Sequence, residues 1–190
     1  MSIQIEVRQN EVIVVQGTNM AEVSHLFTVG LKPCIGLVLW HESICALGHF
    51  HDWESMEQCA PLISHFKECS SQGKRTAVIV RAKGATSKEA WHSEHMSSDL
   101  ANLLSQCFPV TTVNNVYPAP LGEGAKVKVN LSNGKIDYVF DYALPSDIKR
   151  DPAAATTTWV SRPWSSKDII FGFYDGSSTI NYKKGSEEYI

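Results

Sequence analysis

The chemistry-bearing residues of this sequence are concentrated in one apolar stretch, TVGLKPCIGLVLWHESICALGHFHDW, which runs from Thr28 to Trp53. Its thiols and imidazoles belong to Cys34, Cys45, His41, His49 and His51. A free cysteine has a pKa near ~8.5 and is mostly an unreactive thiol at neutral pH. A neighbouring imidazole can take its proton, hold the thiolate as an ion pair and later protonate a leaving group. The stretch could therefore support cysteine-based acyl transfer, provided that an imidazole reaches a thiol.

Two predicted strands bring such a pair together. Cys34–Trp40 and Ile44–Phe50 are rich in apolar and β-branched residues and are joined tightly, which is typical of a hairpin. Side chains that face each other across an antiparallel pair have Cβ atoms about 5 Å apart. Because His49 and His51 differ by two positions, both point to the same side of their strand. One of them should stand beside Cys34, and spacing alone leaves open which one.

The motif around these residues resembles the active-site signature of the chemoreceptor glutamine deamidases. It consists of TVGLKPC (Thr28–Cys34) followed by GHF (Gly48–Phe50). The same Thr/Cys/His logic serves the cytotoxic necrotizing factors and the lethal-factor-type toxin deamidases. This resemblance implies that Cys34 is the nucleophile, that His49 is the general base and acid, and that Thr28 orients His49. In this family's chemistry, a side-chain amide of glutamine is hydrolysed to glutamate and ammonia is released.

The resemblance also ranks the two histidines and assigns Thr28 a way of acting. Only His49 carries the Gly-His-Phe context, so we expect His49→Ala to abolish turnover and His51→Ala to cost far less. Thr28 could orient His49 through its hydroxyl or through its backbone carbonyl, and we expect the carbonyl. The family usually has Gly-Ser or Ser-Gly before the cysteine, where this chain has Lys32-Pro33. The N–H of Cys34 remains, and we expect it to donate to the oxyanion.

The elements that must position these residues predict a fold of the α+β class. Strands come in hairpins rather than in strict alternation with helices, which predicts a layered α/β/β sandwich with mostly antiparallel sheets and two main helices. The predicted strands are Ile3–Arg8, Glu11–Gln16, Cys34–Trp40, Ile44–Phe50 (after a turn at His41–Ser43), Thr76–Arg81, Val110–Val113, Lys126–Leu131 and Lys135–Phe140. The predicted helices are Ser55–Ser71, in which Pro61 could cause a kink or begin a shorter helix, and Ser87–Cys107.

The chain is expected to divide near residue 142. Residues 1–142 contain the elements in the deamidase order and are interpreted as the catalytic domain. Residues 143–190 are interpreted as a linker and a hairpin extension packed on the same domain, because Ala153–Thr158 has linker composition. The final hairpin is predicted from Asp168–Tyr174 and Thr179–Tyr182, which bracket an Asp-Gly-Ser-Ser turn.

Composition limits the class of partner. The formal net charge is −3, and dense clusters of lysine and arginine are missing, which argues against nucleic acid. No apolar run reaches the roughly 20 residues that a membrane helix needs. The sequence also lacks the pattern of a Sec signal. We therefore expect a protein substrate that presents a reactive glutamine, no cofactor, and a location in the cytoplasm or delivery into a host cell without a Sec signal. A role as an effector or toxin is favoured.

Two alternatives to catalysis stay open at this level. His49 and His51, with Asp52 and Cys34, could bind a metal ion, since a spacing of two on a strand suits paired imidazoles. The chain could also be a binding module that keeps the fold and buries Cys34 as a small hydrophobic residue. The remaining cysteines, Cys45, Cys59, Cys69 and Cys107, lie at apolar positions and are interpreted as core residues.

Overall fold

A computed structural model describes residues 3–31, 33–51, 59–70, 73–81, 86–106, 108–114, 124–141, 170–176 and 180–184. Its strands are β1 (Ile3–Glu6), β2 (Glu11–Gln16), β3 (Val23–Leu31), β4 (Ile35–His41), β5 (Ile44–Phe50), β6 (Thr76–Arg81), β7 (Val110–Asn114), β8 (Gly124–Asn130), β9 (Ile136–Asp141), β10 (Ile170–Tyr174) and β11 (Ile180–Lys184). The α-helices are α1 (Ala60–Cys69) and α2 (Ser87–Ser105), and a short 3₁₀ helix covers Gly17–Ala21.

The strands form two sheets. A four-stranded sheet has the order β1-β3-β8-β9, and a seven-stranded sheet has the order β11-β10-β2-β5-β4-β6-β7. Among the described strands, six neighbouring pairs are antiparallel and three are parallel. The predicted α+β fold class, with two main helices and mostly antiparallel sheets, is confirmed.

Two apolar cores hold the layers together. The first lies between the sheets, where β5 side chains such as Cys45 and Leu47 meet β3 and β8 side chains such as Leu26 and Val127. The second lies between the seven-stranded sheet and the helices, and there Phe50 packs with residues of α1 and α2. Every residue of β5 is buried. Because successive side chains on a strand alternate between its faces, β5 supplies both cores, and every side chain that it carries except His49 is apolar.

The helices begin where their sequences allow. In α1 a proline lies in the first turn, where its missing N–H removes no helical hydrogen bond. Pro61 therefore begins a shorter helix than the predicted Ser55–Ser71, although residues 52–58 lie outside the described part of the chain. In α2 the Thr86 side chain accepts from the Glu89 N–H, and the Glu89 carboxylate accepts from the Thr86 N–H. This capping box fixes the first turn of α2.

One strand was not predicted. β3 carries Thr28 and pairs with β1 in parallel and with β8 in an antiparallel register. The pairing with β8 shifts between Thr28 and Leu31, so β3 contains a bulge there, next to Gly30 at a φ of +72°. The extra residue puts Thr28 and Leu31 on the same buried face, although residues three apart in a regular strand face opposite ways. Because the bulge interrupts the alternation of buried and exposed residues, the sequence pattern does not indicate this strand.

Two further differences concern connections. The opening strands β1 and β2 follow one another in the chain but lie in different sheets. The hairpin between β4 and β5 has a loop of two residues, because His41 still pairs with Ile44, so the predicted turn over His41–Ser43 is one residue too long.

The C-terminal hairpin completes the seven-stranded sheet. β10 pairs with β2 in parallel, and β11 pairs with β10 at the sheet edge. Tyr174 ties the hairpin to the 3₁₀ helix and the residue after it, because its carbonyl accepts from the Asn19 amide and its hydroxyl donates to Glu22. The linker interpreted within residues 143–169 lies outside the described residues.

Candidate active site

The register of the β4–β5 hairpin decides which histidine meets the thiol. The pairs run from His41 with Ile44 to Ile35 with Phe50. One step further along this ladder, Cys34 faces His51. The Cys34 Sγ lies 3.4 Å from the His51 Nδ1, which is within hydrogen-bonding reach for sulfur. Cys34 is only 3% exposed, whereas the His51 side chain is exposed to solvent.

A second pair lies deeper, between the sheets. The Thr28 Oγ1 is 2.8 Å from the His49 Nδ1, so β3 of one sheet touches β5 of the other. Gly36 faces His49 across the β4–β5 ladder, and a Cβ atom at Gly36 would come within 2.9 Å of Leu31. A side chain at Gly36 would therefore displace the Leu31 side chain at the end of β3. The close approach of β3 to this ladder puts the Thr28 hydroxyl within reach of the imidazole.

The hydrogen bonds of Thr28 fix the tautomer of His49. The Thr28 hydroxyl donates to the Val7 carbonyl at 2.6 Å. A hydroxyl has one proton, and a carbonyl cannot donate, so the Thr28 oxygen must accept from His49. The His49 Nδ1 therefore carries a proton. In the neutral ring, the lone pair then resides on Nε2.

Burial keeps His49 neutral. Its side chain is 4% exposed, and loss of hydration, followed by repulsion from His51, lowers its pKa to about 4. Among the described residues, no hydrogen-bond partner lies within reach of the His49 Nε2. His49 is thus a neutral imidazole at pH 7, with a buried acceptor nitrogen.

The two pairs are neighbours on one face of the seven-stranded sheet. Cys34 lies opposite His51 and diagonally from His49, since Gly36 is the residue that faces His49. On the other side of β5, Glu11 faces His49 and is 2% exposed, with its Oε2 accepting from the Arg8 N–H. The arrangement therefore offers a nearly buried thiol, an exposed imidazole in contact with it, and a buried polar layer beneath.

The other described cysteines are poor nucleophiles. Cys45 and Cys59 are fully buried, and burial raises the pKa of both thiols. Cys69 is half-buried, 3.7 Å from the His65 Nε2, and burial together with the Glu68 carboxylate raises its pKa. Cys45 and Cys59 are core residues, as predicted. Cys107 lies outside the described residues.

The predicted triad of Cys34, His49 and Thr28 is therefore distributed over two contacts. Thr28 reaches His49 through its hydroxyl and not through the expected carbonyl. The contact of the Cys34 thiol is with His51, the residue that the sequence ranked second. In an antiparallel pair the numbers of facing residues have a constant sum. A two-residue loop at Glu42-Ser43 makes this sum 85, which sets residue 34 opposite residue 51. The assignment of His49 as the base stays a prediction.

The described residues do not form a metal site of the usual kind. Within them, no three or more His, Cys, Asp or Glu side chains come close enough to hold a metal ion. Asp52, one of the ligands considered from the sequence, lies outside the described part. None of the described helices is both long and apolar enough to cross a membrane.

No model of a known protein family matches the chain, and a search of curated proteins also found no match.

Proposed function

We propose that the protein is a cysteine-dependent amidohydrolase that deamidates a glutamine side chain of a protein substrate. The observation that carries the proposal is the contact between the Cys34 Sγ and the His51 Nδ1. A thiol beside an imidazole at the solvent boundary is the unit that nucleophilic acyl transfer needs. In this proposal Cys34 is the nucleophile, as the sequence predicts, and His51 carries the proton transfers; His49 as the base is the alternative that substitutions of the two histidines distinguish.

The first half of the reaction forms a thioester. The His51 imidazole takes the Cys34 proton, and the thiolate attacks the carbonyl carbon of the glutamine amide. We assign the Cys34 N–H as a donor to the resulting oxyanion, and one such donor contributes about 3–4 kcal/mol to the transition state in well-studied enzymes. Protonated His51 then gives its proton to the amide nitrogen. The C–N bond breaks and ammonia leaves.

The second half releases glutamate. His51 removes a proton from water, the hydroxide adds to the thioester carbonyl, and the C–S bond breaks to return the Cys34 thiolate. His49 and Thr28 contact neither the thiolate nor water in this scheme. They form the rigid polar layer beneath Cys34 and His51, because the Thr28 hydroxyl links His49 to the Val7 carbonyl. The reaction draws on no cofactor.

The choice of glutamine as substrate is supported by the Thr28–Cys34 and Gly48–Phe50 motifs, which resemble those of glutamine deamidases. Conversion of Gln to Glu adds a negative charge and removes an NH₂ donor, so it can switch a protein off when that glutamine is catalytic or lies at an interface. This consequence fits an effector or toxin that acts on a host protein.

The experiment is a comparison of proteomes treated with the wild-type protein or with Cys34→Ser. Ammonia release is measured, and peptides are searched for glutamines that have become glutamates. We expect at least one site to convert only with the wild-type protein. Circular dichroism and thermal melts check that Cys34→Ser is folded. We expect it to fold, because sulfur and oxygen at this position differ little in volume.

Equal ammonia release and equal conversion by folded Cys34→Ser would refute the nucleophilic role. A wild-type protein that converts no glutamine, while its Cys34 still binds a proteome protein without turnover, would favour the binding-module alternative.

A further inference from the structure

We propose that Asn10 is the positioning residue that holds His51 against the Cys34 thiol. The inference rests on the proposed function, because it names the residue that keeps the proton acceptor in place. It also concerns a physical property, the reactivity of Cys34, that can be measured without any substrate.

His51 needs an external support. The last residue of β5 is Phe50, so His51 lies just beyond the strand and its side chain is exposed. The paired register of β2 with β5 ends at Glu11 opposite His49. Without a further bond, the backbone at His51 would be free to move the imidazole away from the thiol.

Asn10 supplies that support with two hydrogen bonds. Its backbone N–H donates to the His49 carbonyl at 2.7 Å. Its side-chain Oδ1 accepts from the His51 N–H at 3.3 Å. These two bonds lie on either side of Phe50, so Asn10 extends the ladder by one step with its backbone and one with its side chain.

The backbone conformation of Asn10 explains why its side chain, and not its backbone, accepts the His51 N–H. Asn10 has a φ of +58°, the left-handed region that asparagine, aspartate and glycine tolerate best. The chain therefore turns out of the β2 direction at Asn10, and the side-chain oxygen accepts the next N–H. The turn is closed by the Arg8 N–H donating to Glu11 Oε2 at 2.8 Å and by the Glu11 N–H donating to the Arg8 carbonyl at 3.1 Å.

Two substitutions separate the side chain from the backbone at this position. Asn10→Gly keeps the left-handed backbone and removes the Oδ1 acceptor. Asn10→Asp keeps both the backbone preference and an acceptor oxygen. Asn133→Gly is the matched control, because it also removes an asparagine Oδ1 that accepts a backbone N–H. The donor there is Lys135, in the turn between β8 and β9. That turn packs against Trp40, at the end of β4 remote from Cys34.

The measurement is the rate of Cys34 alkylation by iodoacetamide as a function of pH, read by peptide mass spectrometry. Iodoacetamide is chosen because it is small enough to reach Cys34, which is only 3% exposed. We expect Asn10→Gly to lower the rate near neutral pH by about fivefold to tenfold, the effect of losing one hydrogen bond of ordinary strength. The rise of its alkylation rate with pH should shift to higher pH, towards the profile of a thiol without a neighbouring imidazole. Asn133→Gly should retain the wild-type rate, and Asn10→Asp, which keeps the acceptor oxygen but adds a negative charge, should react faster than Asn10→Gly.

The inference is overturned if folded Asn10→Gly reacts at the wild-type rate, or if Asn10→Asp is as slow as Asn10→Gly. It is also overturned if wild-type Cys34 reacts no faster than Cys34 in His51→Asn, because there is then no pairing to maintain. A wild-type protein that shows the expected alkylation pattern but converts no glutamine supports the inference while refuting the proposed function, so the two failures are distinguishable.

Discussion

The buried His49 predicts that this protein loses stability between neutral pH and pH 5. An exposed histidine in the unfolded chain titrates near 6.5, whereas burial lowers the pKa of folded His49 to about 4. Between these two pH values His49 is protonated in the unfolded chain and neutral in the folded protein. The unfolded state therefore binds more protons, and the free energy of unfolding falls as the pH falls through this window.

The magnitude follows from the two pKa values. Each pKa unit corresponds to about 1.4 kcal/mol, so the complete effect would be about 3 kcal/mol. Between pH 7.5 and pH 5 only part of it is expressed, about 2 kcal/mol. This is a measurable share of the 5–15 kcal/mol that typically stabilises a domain.

The assay compares wild-type protein with His49→Asn in urea at several pH values. The asparagine side-chain nitrogen can take the position of Nδ1 and donate to Thr28, but it does not titrate. His25 and His65, whose pKa values burial also lowers, are present in both proteins, so their titration cancels in the difference. The stability of the wild type relative to His49→Asn should decline by about 2 kcal/mol from pH 7.5 to pH 5.

A stability difference between the two proteins that stays constant over this range would contradict the burial of a neutral His49. It would mean that His49 is hydrated, or that it is paired with an acid that accepts its charge, and the tautomer assigned from Thr28 would no longer be required.

Three further predictions follow from the same contacts. Thr28→Val should destabilise the fold by about 2–5 kcal/mol, because it leaves the Val7 carbonyl and the His49 Nδ1–H buried without partners; urea unfolding should show a much smaller loss for Thr28→Ser, which keeps the hydroxyl. Ser97→Ala, which removes a buried hydroxyl that bonds within α2, is the control and should cost no more than about 1 kcal/mol. His51→Asn should reduce ammonia release by roughly 10²–10⁴-fold, the usual contribution of a general acid–base group, whereas His49→Asn, which keeps the bond to Thr28, should cost about tenfold or less; the reverse order would restore His49 as the base. In iodoacetamide labelling at pH 7, Cys34 should react before Cys45 and Cys59, whose pKa values are raised by burial, and preferential labelling of Cys45 or Cys59 would contradict the site.

Much of the fold could be predicted from local patterns. β6 and β5 have the predicted bounds, Thr76–Arg81 and Ile44–Phe50, because each is a short run of apolar residues between polar or turn residues. The strand β3 could not be predicted from alternation. Its inward side chains include Thr28, and a bulge beside Gly30 shifts the period within the strand.

The composition of the site could be predicted, and the resemblance also indicated the contact of Thr28 with His49, but the partner of the Cys34 thiol could not be predicted. A three-residue loop would set Cys34 opposite Phe50, between the two histidines, whereas the observed two-residue loop sets it opposite His51. One residue in the loop thus decides the partner of the thiol. Whether Thr28 reaches His49 through its hydroxyl or its carbonyl depends on the distance between two sheets, which local sequence does not specify.

In the proposed reaction, Cys34, assisted by His51, attacks a glutamine side chain. The most direct measurement uses a peptide in which the side-chain amide of glutamine is replaced by a chloromethyl ketone, with the adduct located by mass spectrometry. We expect an adduct on Cys34 of the wild-type protein, none at position 34 in Cys34→Ser, and much slower labelling of Cys34 in His51→Asn. Labelling of Cys69 in preference to Cys34, or equal labelling of Cys34 in the wild type and in folded His51→Asn, would contradict it.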